Sequence, residues 1–286
     1  MDKSPDFVDV FGSRLEVRQI PVVASATASG SALAPIVFLH EGLGSVAQWQ
    51  QRGGYWPEQV CAATGRAGLV YSRRGYGQSD ATPDVRGAGR LPPDYLHREA
   101  WEVLPALLAA TGIRQPVLLG HSDGGSIALL HASRFPVAAC IVMAPHVIVE
   151  DLSVQAITQA RDDYLRTAGD PKGLRARLAR HHADVDCAFW QWSDVWLSDA
   201  FRSFDIRPDC RRISAPLLAI QGLDDPYGTM TQIDSIEAAI FNENAAKSPP
   251  NGPVVLQKLE HCGHAPQKDQ PQRALGLVRE FLAGLA

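Results

Sequence analysis

Hydrophobic positions in this chain fall into short, nearly continuous runs separated by stretches with helical spacing. The runs are Ile36–Leu39, Gly68–Tyr71, Val117–Leu119, Ile141–Met143 and Leu217–Ile220, with a sixth, Val254–Leu256, before the C-terminal segment. Runs that do not alternate with polar residues suit strands covered on both faces. Between them Tyr55–Thr64, Tyr95–Ala110, Gly125–Ser133, Gln232–Ile240 and Gln272–Leu282 read as helices, the second kinked at Pro105. Strand and helix in alternation predict an α/β fold with a mainly parallel sheet. The opening Val8–Val17 alternates around a Gly12-Ser13 turn and predicts an antiparallel edge hairpin. Ala24–Ala32, rich in Ser, Ala and Gly, reads as an exposed loop.

The pattern changes between about Val147 and Arg212. This stretch has no strand signal but is rich in helix formers and in arginines such as Arg161, Arg175, Arg177 and Arg180, and it gathers Phe189, Trp190, Trp192 and Trp196. It reads as a helical cap, residues 147–212, inserted after the sixth strand of a core formed by residues 1–146 and 213–286. The arginines suit a solvated face, and the aromatic residues either pack the cap onto the core or wall an apolar pocket. Trp190 and Trp192 are the candidates for that wall.

Composition narrows the class. The 286 residues are 45% apolar and 20% charged, ordinary for a soluble globular protein. A net charge of −4 argues against nucleic acid or an anionic membrane as partner. The five cysteines are odd in number and lack C-x-x-C spacing, so they read as free thiols in a reducing compartment. No signal peptide is evident at the start, and no apolar run approaches the roughly 20 residues of a membrane span. The expected location is the cytoplasm, the expected partner a small-molecule substrate, and the expected state a monomer or homodimer. The chain has no P-loop, dinucleotide fingerprint or metal-ligand cluster in its sequence, so no cofactor and no metal are expected.

The densest chemical signal is Gly120-His121-Ser122-Asp123-Gly124-Gly125, directly after an apolar run and before a helical one. A G-x-S-x-G turn between strand and helix lifts the serine hydroxyl to the top of a sheet, and its glycines keep side chains out of the turn. A serine nucleophile needs a base, and the base an orienting acid, in the chain order Ser, Asp or Glu, His. Two later strand ends supply candidates. Gly222-Leu223-Asp224-Asp225-Pro226 places two carboxylates on a turn, and His261-Cys262-Gly263-His264-Ala265-Pro266 places two histidines on a loop. Spacing leaves Asp224 or Asp225, and His261 or His264, open.

With His40-Glu41-Gly42-Leu43-Gly44-Ser45 and Arg74-Gly75-Tyr76-Gly77-Gln78-Ser79, these motifs resemble those of the α/β-hydrolase superfamily over nearly the whole chain. The resemblance implies a triad of Ser122, Asp225 and His264, because the acid there usually stands three residues after the glycine and the histidine precedes x-Pro. It implies an oxyanion hole from the N–H of Asp123 and one from the loop after the first long strand, where Gly42 is the candidate donor and Glu41 the runner-up. Glu41 stands where the family usually has glycine. The Glu41 and Asp123 carboxylates then lie close to the nucleophile: either Asp123 bonds nearby loops, or it pairs with a cationic or hydroxyl group of a substrate. His146 is a further candidate to face the cleft. A serine nucleophile argues against the haloalkane-dehalogenase and epoxide-hydrolase branches, which use a carboxylate. The expected activity is hydrolysis of a small carboxylic ester through an acyl-enzyme. The alternatives are a lactonase or enol-lactonase, a thioesterase, a C–C bond hydrolase, an aminopeptidase-like amidase, or a triad-bearing receptor with negligible turnover.

Overall fold

In the computed structural model, residues 5–22, 33–241 and 252–285 are described. The predicted loop 24–32 lies outside them. The strands are β1 (Asp6–Val10), β2 (Ser13–Ile20), β3 (Ile36–Leu39), β4 (Gln50–Gln51), β5 (Gly54–Tyr55), β6 (Gly68–Tyr71), β7 (Val117–His121), β8 (Ala139–Met143), β9 (Leu217–Gly222) and β10 (Val254–Leu259). Eight form one sheet in the order β1-β2-β6-β3-β7-β8-β9-β10, and the short β4 and β5 pair with each other. From β6 to β10 all neighbours are parallel; β1 and β2 form the antiparallel edge.

Each apolar run became a strand because helices cover both sheet faces. Every residue of β3, β6, β7, β8 and β9 is buried, while the edge strand β10 is mostly half-buried. One apolar cluster on each face completes the core. The hairpin turn lies one residue earlier than its sequence suggests: Phe11 and Gly12 take the two positive φ values, 54° and 75°, and Ser13 already begins β2. A two-residue turn of this kind needs φ > 0 at both positions.

The second predicted helix is continuous but irregular. It runs as α-helix over Tyr95–Arg98 and Leu104–Ala110, with a π-helical segment, Glu99–Val103, between them. The Leu104 N–H donates to Glu99 O, and Pro105 follows with no N–H to give. Between β8, sixth strand of the large sheet, and β9 the chain is helical: Asp151–Arg166, Leu174–Leu178, Val185–Trp196, a 3-10 turn at Asp199–Ser203, and Arg207–Cys210. The stretch between Val147 and Arg212 is therefore helical, as its composition suggests. All five cysteines are buried and unpaired. Among the described residues no helix is long and apolar enough to cross a membrane.

Candidate active site

The chemistry-bearing residues follow the carboxyl ends of the parallel strands, where α/β sheets place their ligands. Across the sheet these are Arg73 after β6, Glu41-Gly42 after β3, Ser122 after β7, His146 after β8, Asp225 after β9 and His264 after β10. Ser122 has φ 54° and ψ −120°, a strained conformation at the junction of β7 with the helix Asp123–Ala132. The turn is tight because backbones meet there: a Cβ on Gly120 would strike the Gly124 carbonyl, and one on Gly124 the Leu39 carbonyl.

Three side chains from separate loops form one hydrogen-bonded line. His264 Nε2 is 2.9 Å from Ser122 Oγ, and His264 Nδ1 is 2.9 and 2.8 Å from the two Asp225 carboxylate oxygens. A carboxylate only accepts, so Nδ1 carries the proton and Nε2 is free to accept from the serine hydroxyl. Asp225 is fixed in turn by Gln221 Nε2 at 2.6 Å and the Tyr227 N–H at 2.8 Å. Burial works to raise the Asp225 pKa, but the hydrogen bond and charge of His264 outweigh it and hold the carboxyl below its ordinary value. Asp224 is exposed and uses its backbone N–H to hold Cys262 O; His261 is exposed on a positive-φ turn. The hydrogen-bonded line to Ser122 thus runs through His264 and Asp225, not through His261 or Asp224.

The imidazole of His264 is enclosed by Tyr227, His121 and His146 rings at 4.7, 5.2 and 5.6 Å. Burial lowers the His146 pKa to about 3 and that of His121 to about 4, so both are neutral near pH 7. His121 Nε2 donates to the His264 carbonyl at 2.7 Å, while its Nδ1 accepts from Gln267 at 3.0 Å. This arrangement ties the His264 loop to the strand that precedes Ser122.

A cavity of about 80 Å³ opens beside Ser122, lined by Glu41, Gly42, Asp123, His146, Trp192 and Trp196 among others. Gly42 and Asp123 donate their backbone N–H groups to no acceptor among the described residues. Trp192 packs so close to Gly42 that a Cβ there would strike its indole nitrogen. Glu41 pairs with Lys268 at 3.3 Å; burial works to raise its pKa, but Lys268, His121 and His264 hold it at about 2.

One expectation needs correction, and one open alternative is decided. Trp190 does not line the cavity; it lies under Arg86, whose guanidinium is 3.9 Å from its ring, and against Tyr164 and Phe189. Helix phase explains this. On Val185–Trp196, Trp192 and Trp196 are four residues apart and share a face, whereas Trp190 is two residues from Trp192 and points away. The Asp123 carboxylate is not open to a substrate cation: Arg73 at 3.3 Å, Tyr95 Oη at 2.7 Å and Trp196 Nε1 at 3.3 Å already donate to it. Of the two readings of Asp123, the local one holds. Sequence reasoning overlooked Arg73, Tyr95, Tyr227 and Ile157; only Trp196, four residues beyond Trp192, left a readable trace.

Sheet order, strained serine and loop positions together define an α/β hydrolase. A sequence model of the alpha/beta hydrolase family matches residues 36–275, and the chain belongs to that family. It is 25% identical over 278 residues to a putative carbamate hydrolase, RutD, of Cronobacter sakazakii, covering 88% of this chain and 92% of that one. It is 28% identical over 167 residues to the human serine hydrolase BPHL, covering 55% and 53%. Among solved structures, the enol-lactonase of Burkholderia xenovorans superposes with a TM-score of 0.70 at 18% identity, covering 97% of this chain and all of that one. A putative aryl esterase of Burkholderia cenocepacia gives 0.66 at 18%, covering 99% of both. At that identity the structural likeness speaks for the fold alone. The chain is a hydrolase of this family.

Proposed function

We propose that this hydrolase cleaves small carboxylic esters through an acyl-enzyme on Ser122. The observation that carries the reading is the unbroken hydrogen-bonded line from Asp225 through His264 to Ser122, ending at the small cavity. His264 Nε2 takes the Ser122 proton as Oγ attacks the ester carbon. The N–H groups of Gly42 and Asp123 meet the negative oxygen that develops, and His264 returns the proton to the leaving alcohol. A water activated by the same imidazole then releases the acid. Asp225 keeps the imidazole in the accepting tautomer and balances its transient charge.

Size supports a short substrate. About 80 Å³ is well below the roughly 300–1,000 Å³ of pockets that enclose drug-sized ligands. Turnover of p-nitrophenyl acetate, with the acyl group trapped on the Ser122 peptide and found by mass spectrometry, tests the mechanism. A parallel panel of short lactones, thioesters and carbamates ranks the leaving groups, carbamates being in the name of the Cronobacter relative. Acylation at another residue, or no turnover of any acyl substrate in the panel, would overturn the proposal.

A further inference from the structure

We propose that Arg73 positions the oxyanion hole, holding both of its donors from behind with one guanidinium. The inference rests on the acyl-transfer reading above and adds to it a residue outside the triad and its donors. Arg73 follows β6, which neighbours β3, which neighbours β7, so it stands behind the Glu41-Gly42 loop and the Ser122-Asp123 turn together. Its side chain is 5% exposed, and its nitrogens diverge in one plane. One terminal nitrogen donates to Glu41 O at 2.9 Å, and the other to Asp123 Oδ2 at 3.3 Å. The arginine N–H of the main chain donates to His40 Nε2 at 3.0 Å, and the Tyr76 ring backs the guanidinium at 4.7 Å.

The Glu41 carbonyl and the Gly42 N–H belong to one planar trans peptide, so they point in opposite directions. Anchoring the oxygen therefore aims the hydrogen. Glu41 O accepts from Arg73, from His40 Nδ1 at 2.6 Å and from the Gly44 N–H at 3.0 Å, which leaves this peptide no freedom to flip. A cation on the carbonyl side also polarises the peptide and strengthens its N–H as a donor. On the other side, Arg73, Tyr95 and Trp196 hold the Asp123 carboxylate while the Asp123 N–H opens the helix Asp123–Ala132, whose dipole favours negative charge at that end. Because Trp196 belongs to the cap, the same cluster fixes where the cap sits over Ser122. A buried ion pair contributes little net stability, since desolvation offsets the attraction. Its contribution here is geometry, and geometry explains arginine: a lysine ammonium presents its donors from one point and does not span Glu41 O and Asp123 Oδ2 as a planar fork does.

The test uses the full chain with three variants, Arg73→Lys, Asp123→Asn and the double Arg73→Met/Asp123→Asn. Each is assayed on p-nitrophenyl acetate and for inhibition by a trifluoromethyl ketone, whose serine adduct carries the oxyanion. An oxyanion-hole donor is used in the transition state, so kcat and kcat/KM should fall together and KM should stay near wild type. Loss of one such donor typically costs about 10²–10³-fold, the fall expected for Arg73→Lys, with inhibitor affinity weakening in parallel. The double variant removes both buried charges, so a role limited to neutralising Asp123 predicts recovery, while positioning of the Glu41-Gly42 peptide predicts that kcat stays low. Recovery in the double variant, a KM rise at unchanged kcat, or unaltered ketone affinity in a folded Arg73→Lys would each overturn the inference. Fluorophosphonate labelling of wild-type Ser122 separates the two levels. Labelled Ser122 with an unimpaired Arg73→Lys sinks this inference alone; a wild-type Ser122 that neither labels nor acylates sinks the functional reading and this inference with it.

Discussion

Replacing Asp225 by Asn asks how much of the chemistry depends on the charge behind His264. Three donors converge on the Asp225 carboxylate: His264 Nδ1, Gln221 Nε2 and the Tyr227 N–H. An asparagine has one acceptor oxygen, which the fixed Tyr227 N–H claims, so its NH₂ must take the Oδ2 position facing Gln221 and His264. Gln221 can accommodate this by a turn of its amide, which presents the otherwise unpartnered Oε1 at the cost of one hydrogen bond, to Gly228 O at 3.2 Å. The fold is thus expected to survive, and the loss reports on catalysis. An imidazolium and a carboxylate about 4 Å apart attract by about 4 kcal/mol at an effective dielectric constant near 20, which is about 10³ in rate. The NH₂ also pulls His264 toward the tautomer that cannot accept the Ser122 proton, bringing the expected fall in kcat to about 10⁴, the size seen for this change in other serine triads. The exposed Asp224→Asn should stay within about 0.5 kcal/mol of wild type. The assay is p-nitrophenyl acetate turnover normalised to folded protein by near-UV circular dichroism. An Asp225→Asn enzyme retaining more than about a tenth of wild-type kcat, or an Asp224→Asn enzyme that is the slower of the two, would refute the assignment.

Ser122→Ala should lose about 10⁶-fold in kcat with the fold intact, since Gly120 and Gly124 hold the turn; acylation persisting in this variant would contradict it. Ile157→Ala should enlarge the cavity and move preference from acetyl toward butyryl esters, whereas Trp190→Ala, outside the cavity wall, should leave the chain-length profile unchanged. The reverse pattern would mean the cap face has been misread. Acid should destabilise the fold through its buried histidines. Burial lowers the pKa of His121 and His182 to about 4, below the ordinary 6.5, so in that window the unfolded chain binds more protons and stability falls as pH drops. At about 1.4 kcal/mol per unit, each costs about 2 kcal/mol by pH 5. A urea midpoint unchanged between pH 7 and 5 would refute this.

The sheet was legible because strands buried on both faces leave unbroken apolar runs, and turn residues at strand ends marked Ser122 and the two loops that carry Asp225 and His264, without separating these from Asp224 and His261. Helix phase was harder to read. Spacing puts Trp192 and Trp196 on one face of a helix and Trp190 on another, but nothing in the sequence says which face meets the cavity. Arg73 was invisible for another reason. Its partners Glu41 and Asp123 lie 32 and 50 residues away, and only the order β6-β3-β7 brings them to one guanidinium. In sequence it is one of two adjacent arginines before a glycine-rich turn.

That pairing changes what the two carboxylates near Ser122 mean. Taken from sequence, Glu41 and Asp123 put negative charge beside a centre that must itself become negative, which would oppose the reaction and repel anionic substrates. In the structure Lys268 neutralises Glu41 and Arg73 neutralises Asp123. Both cations belong to the chain's own scaffold, so the balance exists before substrate arrives and needs no reorganisation as the oxyanion forms. The two pairs differ in exposure: Lys268 is 40% exposed and partly screened by salt, whereas Arg73 is buried and is not. Removing the outer cation, as in Lys268→Met, leaves Glu41 uncompensated and should therefore raise KM for an anionic ester such as a p-nitrophenyl succinate more than for p-nitrophenyl acetate, with the difference shrinking as salt is added. Equal effects on the two esters at low salt would show that Glu41 does not face the substrate's path.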